Sequence, residues 1–211
     1  MGSVIVDVIK NSSPMSSNIV AVGFRAKTGH AIAVVLGGTA HAPRAIRRSD
    51  VMSSDPRRNP TCQPYHLVMD LPFAEWNAAV SPAAAAIEKI ACESMKQLFD
   101  ELAADDLTVP RIGVVGSPDR DLSKIGGPHV RAHAAEGVLF RAVLERAAEH
   151  LLVSCRTLRE KELASIAGTE LRLSPKELKA RLAEFGRALG TPWRKDQKSA
   201  ALAAWLSLPG A

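Results

Sequence analysis

The stretch Ser174–Leu206, SPKELKARLAEFGRALGTPWRKDQKSAALAAWL, is the most informative part of this 211-residue chain. Ser174 followed by Pro is a typical helix start, and Gly190 is a typical helix stop. A second, Ala/Leu-rich helix then begins at Asp196. The stretch therefore predicts two closing helices, Ser174–Leu189 and Asp196–Leu206. The acid at the start of the second lies among three basic residues, Arg194, Lys195 and Lys198.

Upstream of this stretch, the first part of the chain predicts three strands. Ile19–Gly23 and His30–Gly38 are rich in β-branched residues and are separated by a short polar segment, a pattern typical of a β-hairpin. Pro43–Met52 predicts a third strand. The Pro-, Arg- and Asn-rich segment Asp55–Pro64 predicts an exposed loop.

The middle of the chain alternates helices and strands. Ser81-Pro82 predicts the start of a long helix, which Phe73–Val80 could extend upstream. A second long helix is expected over Val130–Leu151, and a short helical turn over Glu160–Ile166. Two further strands are expected, Val109–Gly116 and Leu152–Thr157. Because Ile19–Gly23 and Ile112–Val115 are apolar on both faces, we expect them to be parallel neighbours in the centre of a covered sheet.

The order of three strands, helix, strand, helix, strand and closing helices resembles the RNase H-like fold over Ile19 to Leu206. The last strand and closing helices resemble those of RuvC-type Holliday-junction resolvases in that superfamily. The resemblance implies an α/β three-layer fold whose mixed five-stranded sheet, with the first three strands antiparallel, is flanked by helices. It implies one domain over 19–211 after an N-terminal extension, 1–18. The alternative is another α/β three-layer fold, including that of the actin-like ATPases.

The resemblance also predicts where metal-binding acids should lie. Such nucleases hold two divalent cations, Mg²⁺ or Mn²⁺, with carboxylates on the opening strand, the fourth strand and the closing helix. In this chain the opening-strand position is Arg25, and the fourth strand ends at Gly116. On the closing helix Asp196 fits the pattern, but Ser199 stands where a second acid is expected. Most catalytic acids are therefore missing, and a standard two-metal nuclease is not expected.

A nonstandard hydrolytic site is one alternative that the residues leave open. His129, His133 and Glu136 are spaced i, i+4 and i+7, so they would share one helical face, where imidazoles and a carboxylate can bind a metal or activate water. This hypothesis takes Asp119, His133, Glu136 and Asp196 as catalytic residues, with Asp196 and Glu136 as metal ligands. The competing interpretation is a helix start whose side chains hydrogen-bond locally.

The hypothesis that we favour is a surface that binds nucleic acid or phosphate without catalysis. Arg25, Lys27 and Thr28 in the first hairpin offer cations and a hydroxyl to a phosphate. Arg194, Lys195 and Lys198 would extend this surface. The competing interpretation of the hairpin is an ordinary turn that needs Gly29 for a positive φ angle. No Walker A or GxGxxG motif occurs in the chain.

Composition sets the remaining expectations. The net charge of +5 lies wholly in residues 106–211, because residues 1–105 carry ten basic and ten acidic residues. This asymmetry favours an anionic partner, which we take to be DNA or RNA. Three widely spaced cysteines fit a reducing cytoplasm, and no apolar run is long enough to predict a membrane partner. The resemblance implies a homodimer.

Overall fold

The computed structural model describes residues 18–57 and 59–210. Its strands are β1 (Ile19–Lys27), β2 (His30–Gly38), β3 (Pro43–Met52), β4 (Thr108–Gly116) and β5 (Ser154–Arg159). Its α-helices are α1 (Trp76–Ala104), α2 (Pro128–His150), α3 (Leu163–Glu170), α4 (Pro175–Leu189) and α5 (Lys195–Trp205). Short 3₁₀ turns occur at Asn59–Thr61, His66–Val68, Phe73–Glu75 and Leu122–Lys124. The expected N-terminal extension lies outside the described residues, apart from Asn18.

The five strands form one mixed sheet in the order β3-β2-β1-β4-β5. β1, β2 and β3 are antiparallel neighbours, whereas β4 runs parallel to both β1 and β5. Val22 pairs with Ile112 and Gly23 with Gly113, so the predicted central parallel pair is confirmed. The predicted fold class, a mixed sheet with its first three strands antiparallel and with flanking helices, is confirmed as well.

Helices cover both faces of the sheet, which makes a three-layer structure. On one face, the buried side chains of β1 and β2 pack with those of α3, α4 and α5. On the other face, Val22 and Phe24 of β1 and Ile112 of β4 pack with α1 and α2. Both faces of β1 are therefore buried, as the apolar sequence of this strand predicted. None of the described helices is long and apolar enough to cross a membrane.

Several expected boundaries were wrong. β1 continues past Gly23 to Lys27, and the turn expected over Glu160–Ile166 is the helix α3, Leu163–Glu170.

α1 begins at Trp76, within the possible upstream extension Phe73–Val80. Pro82 therefore lies inside the helix rather than at its start. An interior proline costs a helix about 3 kcal/mol, but continuing the helix upstream buries Trp76 and Val80. β5 begins and ends two residues later than expected. Its pairing with β4, which runs from Arg111 opposite Ser154 to Gly116 opposite Arg159, sets that register.

The closing helices begin and end nearly as predicted. Ser174 caps α4 in a capping box with Glu177, and Gly190 ends it with a φ of 73°. α5 begins one residue before Asp196 and is buried along most of its length. The indole Nε1 of Trp205 donates a 2.7 Å hydrogen bond to the carbonyl oxygen of Ala40, which fixes the end of α5 against the loop after β2.

α5 lies directly on the central strands because glycines face it. A Cβ at Gly23 would overlap the carbonyl oxygen of Ala200, and a Cβ at Gly113 would lie 2.6 Å from the carbonyl oxygen of Ala203. Side chains larger than hydrogen at these two strand positions would push the helix away. This close packing sets the height of α5 above the sheet and places its first turn beside the end of β1.

We therefore expect Gly23→Ala to lower the free energy of unfolding by about 2 kcal/mol or more, because overpacking at a rigid backbone contact costs 1–3 kcal/mol. Urea denaturation followed by circular dichroism measures the change. Gly126→Ala is the matched control, since a Cβ there meets nothing within 4 Å. Equal stability of the Gly23→Ala and Gly126→Ala proteins would contradict the close-packing argument.

Candidate functional site

Arg25 lies near the end of β1, on the face that α5 covers. Its side chain is only 14% exposed. Its Nε donates to Oδ1 of Asp196 at 3.2 Å, and its Nη2 donates to Oε2 of Glu160 at 2.6 Å. The guanidinium therefore bridges two carboxylates from separate elements, the first turn of α5 and the residue that follows β5.

Two lysines complete this arrangement. Lys27 Nζ lies 3.1 Å from Oδ2 of Asp196, and Lys195 Nζ lies 2.5 Å from Oε1 of Glu160. We call Arg25, Lys27, Glu160, Lys195 and Asp196 the ion-pair cluster. Its three cations outnumber its two carboxylates, so the cluster carries a net positive charge.

The cations keep both acids ionised. The hydrogen bond from Lys195 is the main cause that lowers the pKa of Glu160; partial burial opposes it, and the charges of Arg25 and Lys195 add to the lowering. Partial burial alone would raise the pKa of Asp196. The hydrogen bonds and charges of Lys27 and Arg25 together outweigh this effect and hold that pKa below its usual value.

This geometry does not fit the divalent cations that the RuvC resemblance implies. A guanidinium occupies the space between Asp196 and Glu160, and a cation there repels a metal ion. Without a metal, Asp196 is expected to form a bidentate ion pair with Arg25 in a cleft that Glu136 shares. The contact between Arg25 and Asp196 is present, but the contact of Glu136 is with His66.

Arg25 does not donate two hydrogen bonds to Asp196. It donates one to Asp196 and one to Glu160, a residue that was not identified from the sequence. The signal that could have identified Glu160 is an acidic residue directly after a parallel strand. It was missed because β5 was expected to end at Thr157, whereas it ends at Arg159.

Asp119 does not join the ion-pair cluster. Its side chain is 84% exposed and is paired with Arg141 of α2. Arg141 also lies 2.8 Å from Glu145, and its side chain packs against Gly116, where a Cβ would meet it at 2.8 Å. The guanidinium of Arg141 therefore lies at the end of β4, where an acid was expected, and Asp119 pairs with it rather than with a residue of the ion-pair cluster.

Glu136 is also separate from the ion-pair cluster. It is 1% exposed, and its Oε1 lies 2.8 Å from Nδ1 of His66 in the 3₁₀ turn His66–Val68. The rings of His129 and His133 lie side by side on α2, as predicted, with centroids 4.5 Å apart, and both also contact His66. The contacts of Glu136 are with His66, so they give no support to a metal shared by Asp196 and Glu136. His66 was not identified from the sequence, because it lies outside any regular element.

The remaining candidate binding residues are exposed. Thr28 is exposed in the two-residue turn between β1 and β2, and Arg194 and Lys198 are exposed at the start of α5. A cavity of about 200 Å³ opens beside the hairpin; its polar lining comes from Arg25, Lys27, Thr28, Ser117 and His133. This cavity connects the ion-pair cluster to one of the histidines.

A larger cavity of about 840 Å³ between α3, α4 and α5 is mostly apolar. Of the candidate binding residues only Lys198 lines it. Trp193 also lines it and packs against Gly186 of α4, where a Cβ would meet the indole ring. Trp193 is thus a packing residue, and the candidate site is the smaller, polar cavity.

The solved structures that are similar to this chain include two of RuvC. The first is the RuvC structure of Thermus thermophilus, with 11% identity, a TM-score of 0.48, and 88% of this chain and 91% of that chain covered. The second is T. thermophilus RuvC in complex with a Holliday junction substrate, with 12% identity, a TM-score of 0.49, and 89% and 90% covered. No protein-family model matches the sequence, and no curated protein matches it.

If Arg25 blocks metal binding, replacing it with an acid should create a metal site. We expect Arg25→Asp to bind Mn²⁺ weakly, because three carboxylates would then lie together and Mn²⁺ prefers oxygen ligands. Calorimetric titration measures this binding. Arg25→Gln is the control, since it removes the cation without adding a ligand. Mn²⁺ binding that is equal in both variants and in the native protein would contradict the prediction.

Proposed function

We propose that this chain is a divergent RuvC/RNase H-like domain that binds nucleic acid or a phosphate group without standard two-metal nuclease activity. The observation that carries the proposal is the position of Arg25. It stands on the central strand where the resemblance expects the first metal-binding acid, and two carboxylates already neutralise it.

The charges around the polar cavity support an anionic ligand. Arg25 and Lys27 line it, and the hydroxyls of Thr28 and Ser117 add hydrogen-bond donors. Lys195 is 80% exposed and can exchange its contact with Glu160 for a phosphate oxygen. Cations with hydroxyl donors are the groups that bind phosphate, and backbone phosphates provide most of the affinity in nucleic-acid binding.

The proposal takes DNA or RNA as the macromolecular ligand. It also keeps, from the resemblance alone, a homodimer as the functional assembly. Analytical ultracentrifugation with and without a four-way DNA junction would measure the assembly state. A monomer at all concentrations would remove the dimer from the proposal and leave the binding surface unchanged.

The binding surface predicts a strong salt dependence. We expect Lys195→Glu with Lys198→Glu to weaken binding at low salt at least tenfold, because fewer counterions are displaced from the nucleic acid. Fluorescence anisotropy with labelled single-stranded, duplex and junction DNA, and with RNA, measures the affinity at two salt concentrations.

The matched control is Lys89→Glu with Lys96→Glu. It makes the same charge change on exposed positions of α1, on the opposite face of the sheet. The control should retain affinity within about twofold if local contacts rather than net charge determine binding. Equal losses of affinity in both double variants, or an affinity that does not depend on salt concentration, would contradict the proposed surface.

A metal-dependent phosphodiesterase is the second candidate. The observation in its favour is that His133 lines the same cavity as Arg25 and Lys27, so an imidazole lies beside a phosphate-binding surface. Of the four hypothesised catalytic residues, His133 lines the cavity and Glu136 is buried against His66, whereas Asp119 and Asp196 are held in ion pairs.

This candidate predicts slow hydrolysis of labelled DNA or RNA that EDTA abolishes. His133→Ala should lower the rate at least about 100-fold, because a positioned general base contributes roughly 10²–10⁴-fold. A gel assay of product formation measures it. His41→Ala is the control, because His41 is exposed in the turn after β2, away from the cavity-lining residues. Cleavage that survives EDTA and His133→Ala would identify a contaminating nuclease.

A further inference from the structure

Three histidines from two separate segments meet at the start of α2. His129 and His133 lie one helical turn apart on α2, and His66 reaches them from the 3₁₀ turn His66–Val68. One ring nitrogen of each histidine lies within 4.8 Å of the corresponding nitrogens of the other two. We propose that His66, His129 and His133 bind a divalent transition metal of the zinc class.

The carboxylate of Glu136 prepares His66 for this role. Its Oε1 lies 2.8 Å from Nδ1 of His66. A carboxylate oxygen at this distance can accept a hydrogen bond from Nδ1–H, and the tautomer that makes this bond leaves the lone pair of Nε2 for a metal. A carboxylate behind a metal-binding histidine is the common arrangement in zinc sites, where it fixes the ring and increases its basicity. Glu136 is therefore a positioning residue, and the earlier hypothesis that it is a direct ligand is replaced.

The burial of Glu136 is a second, independent indication of a bound cation. The residue is 1% exposed, and its Oε2 has no hydrogen-bond partner among the described residues. A buried carboxylate without full compensation is unfavourable. A divalent ion bound to His66 would place positive charge next to this carboxylate.

Arg131 and Arg141 are equally near to Glu136 along α2, and neither provides this charge. Arg131 stacks on Phe73 and donates to the carbonyls of Leu122 and Ile125. Arg141 is paired with Asp119 and Glu145.

Small side-chain rotations would bring the three nitrogens to bonding distance. Zinc binds imidazole nitrogen at about 2.0–2.1 Å, which puts ligand nitrogens in a tetrahedron about 3.3 Å apart. His129 and His133 are exposed residues whose rings make no hydrogen bond within the described part of the chain, while His66 is held by Glu136. One fixed ligand and two adjustable ligands can therefore close around an ion.

The ligand set indicates the metal and its state. Three neutral imidazoles with no thiolate favour zinc and similar first-row ions over Mg²⁺ or Ca²⁺, which prefer oxygen ligands. Three protein ligands leave a fourth position for water or a ligand atom, as in catalytic rather than structural zinc sites. Because His133 also lines the polar cavity beside Arg25, the fourth ligand could come from a phosphate bound there. The metal site itself does not depend on nucleic-acid binding.

Zinc binding can be tested with the untagged full chain after removal of metals by a chelator. Calorimetric titration with ZnCl₂ should give one ion per chain, and Co²⁺ should give the visible absorption of a four-coordinate site. His129→Ala and His133→Ala should each lower the zinc affinity at least tenfold. Both residues are exposed, so we expect these variants to fold. His41→Ala, a histidine in an exposed turn, should bind as the native chain does.

Glu136→Gln separates positioning from folding. The amide keeps the size of the side chain, and we expect a 10- to 100-fold loss of zinc affinity, the range for a carboxylate behind a zinc-bound histidine. Its Co²⁺ spectrum should shift, and thermal unfolding without metal shows whether the fold is kept. The proposal is overturned if the native chain binds zinc no more tightly than His129→Ala or His133→Ala, or if His41→Ala loses as much affinity as they do.

Discussion

The backbone contact between α5 and the central strands determines the geometry of the candidate site. Gly23 and Gly113 leave room for the helix, and Ala200 and Ala203 fill that room with their backbone atoms. A helix held this close has little freedom to shift along or away from the sheet. Its first turn must then lie beside the end of β1, and Asp196 reaches Arg25. Without this contact the ion-pair cluster would have no fixed partner on α5.

The ion-pair cluster shows how such a site can be stable without a metal. Two carboxylates brought together in a partly buried place repel each other unless a cation separates them. Arg25 supplies this cation from within the chain, and its planar guanidinium can contact both acids at once. An external metal ion would have to displace it. With Lys27 and Lys195 the cations of the cluster outnumber its acids, so the surface is positively charged, which is the property our proposed function uses.

The ion-pair cluster and the three histidines differ in electrostatic character although one cavity connects them. In the ion-pair cluster, cations of the protein satisfy the acids. Among the histidines, one buried carboxylate lies behind the imidazole rings, and its second oxygen has no partner in the described part of the chain. These charges therefore oppose a further cation in the ion-pair cluster and favour one among the three histidines. We expect any metal chemistry of this chain at the histidines. We expect phosphate binding in the polar cavity between the histidines and the ion-pair cluster.

Local sequence patterns determined most of the fold. The alternation and length of apolar runs predicted β1, β2, β3 and β4, and the Ser174 cap with the Gly190 stop predicted α4, because these signals depend on neighbours in the chain. Arg25 and Asp196 were also predicted to touch. Only the tertiary structure decided which other side chains joined them. Glu160 and His66 come from segments distant in sequence, and Glu136 proved to be buried against His66. Strand register and side-chain partners of this kind are fixed by packing between distant segments, which no local pattern encodes.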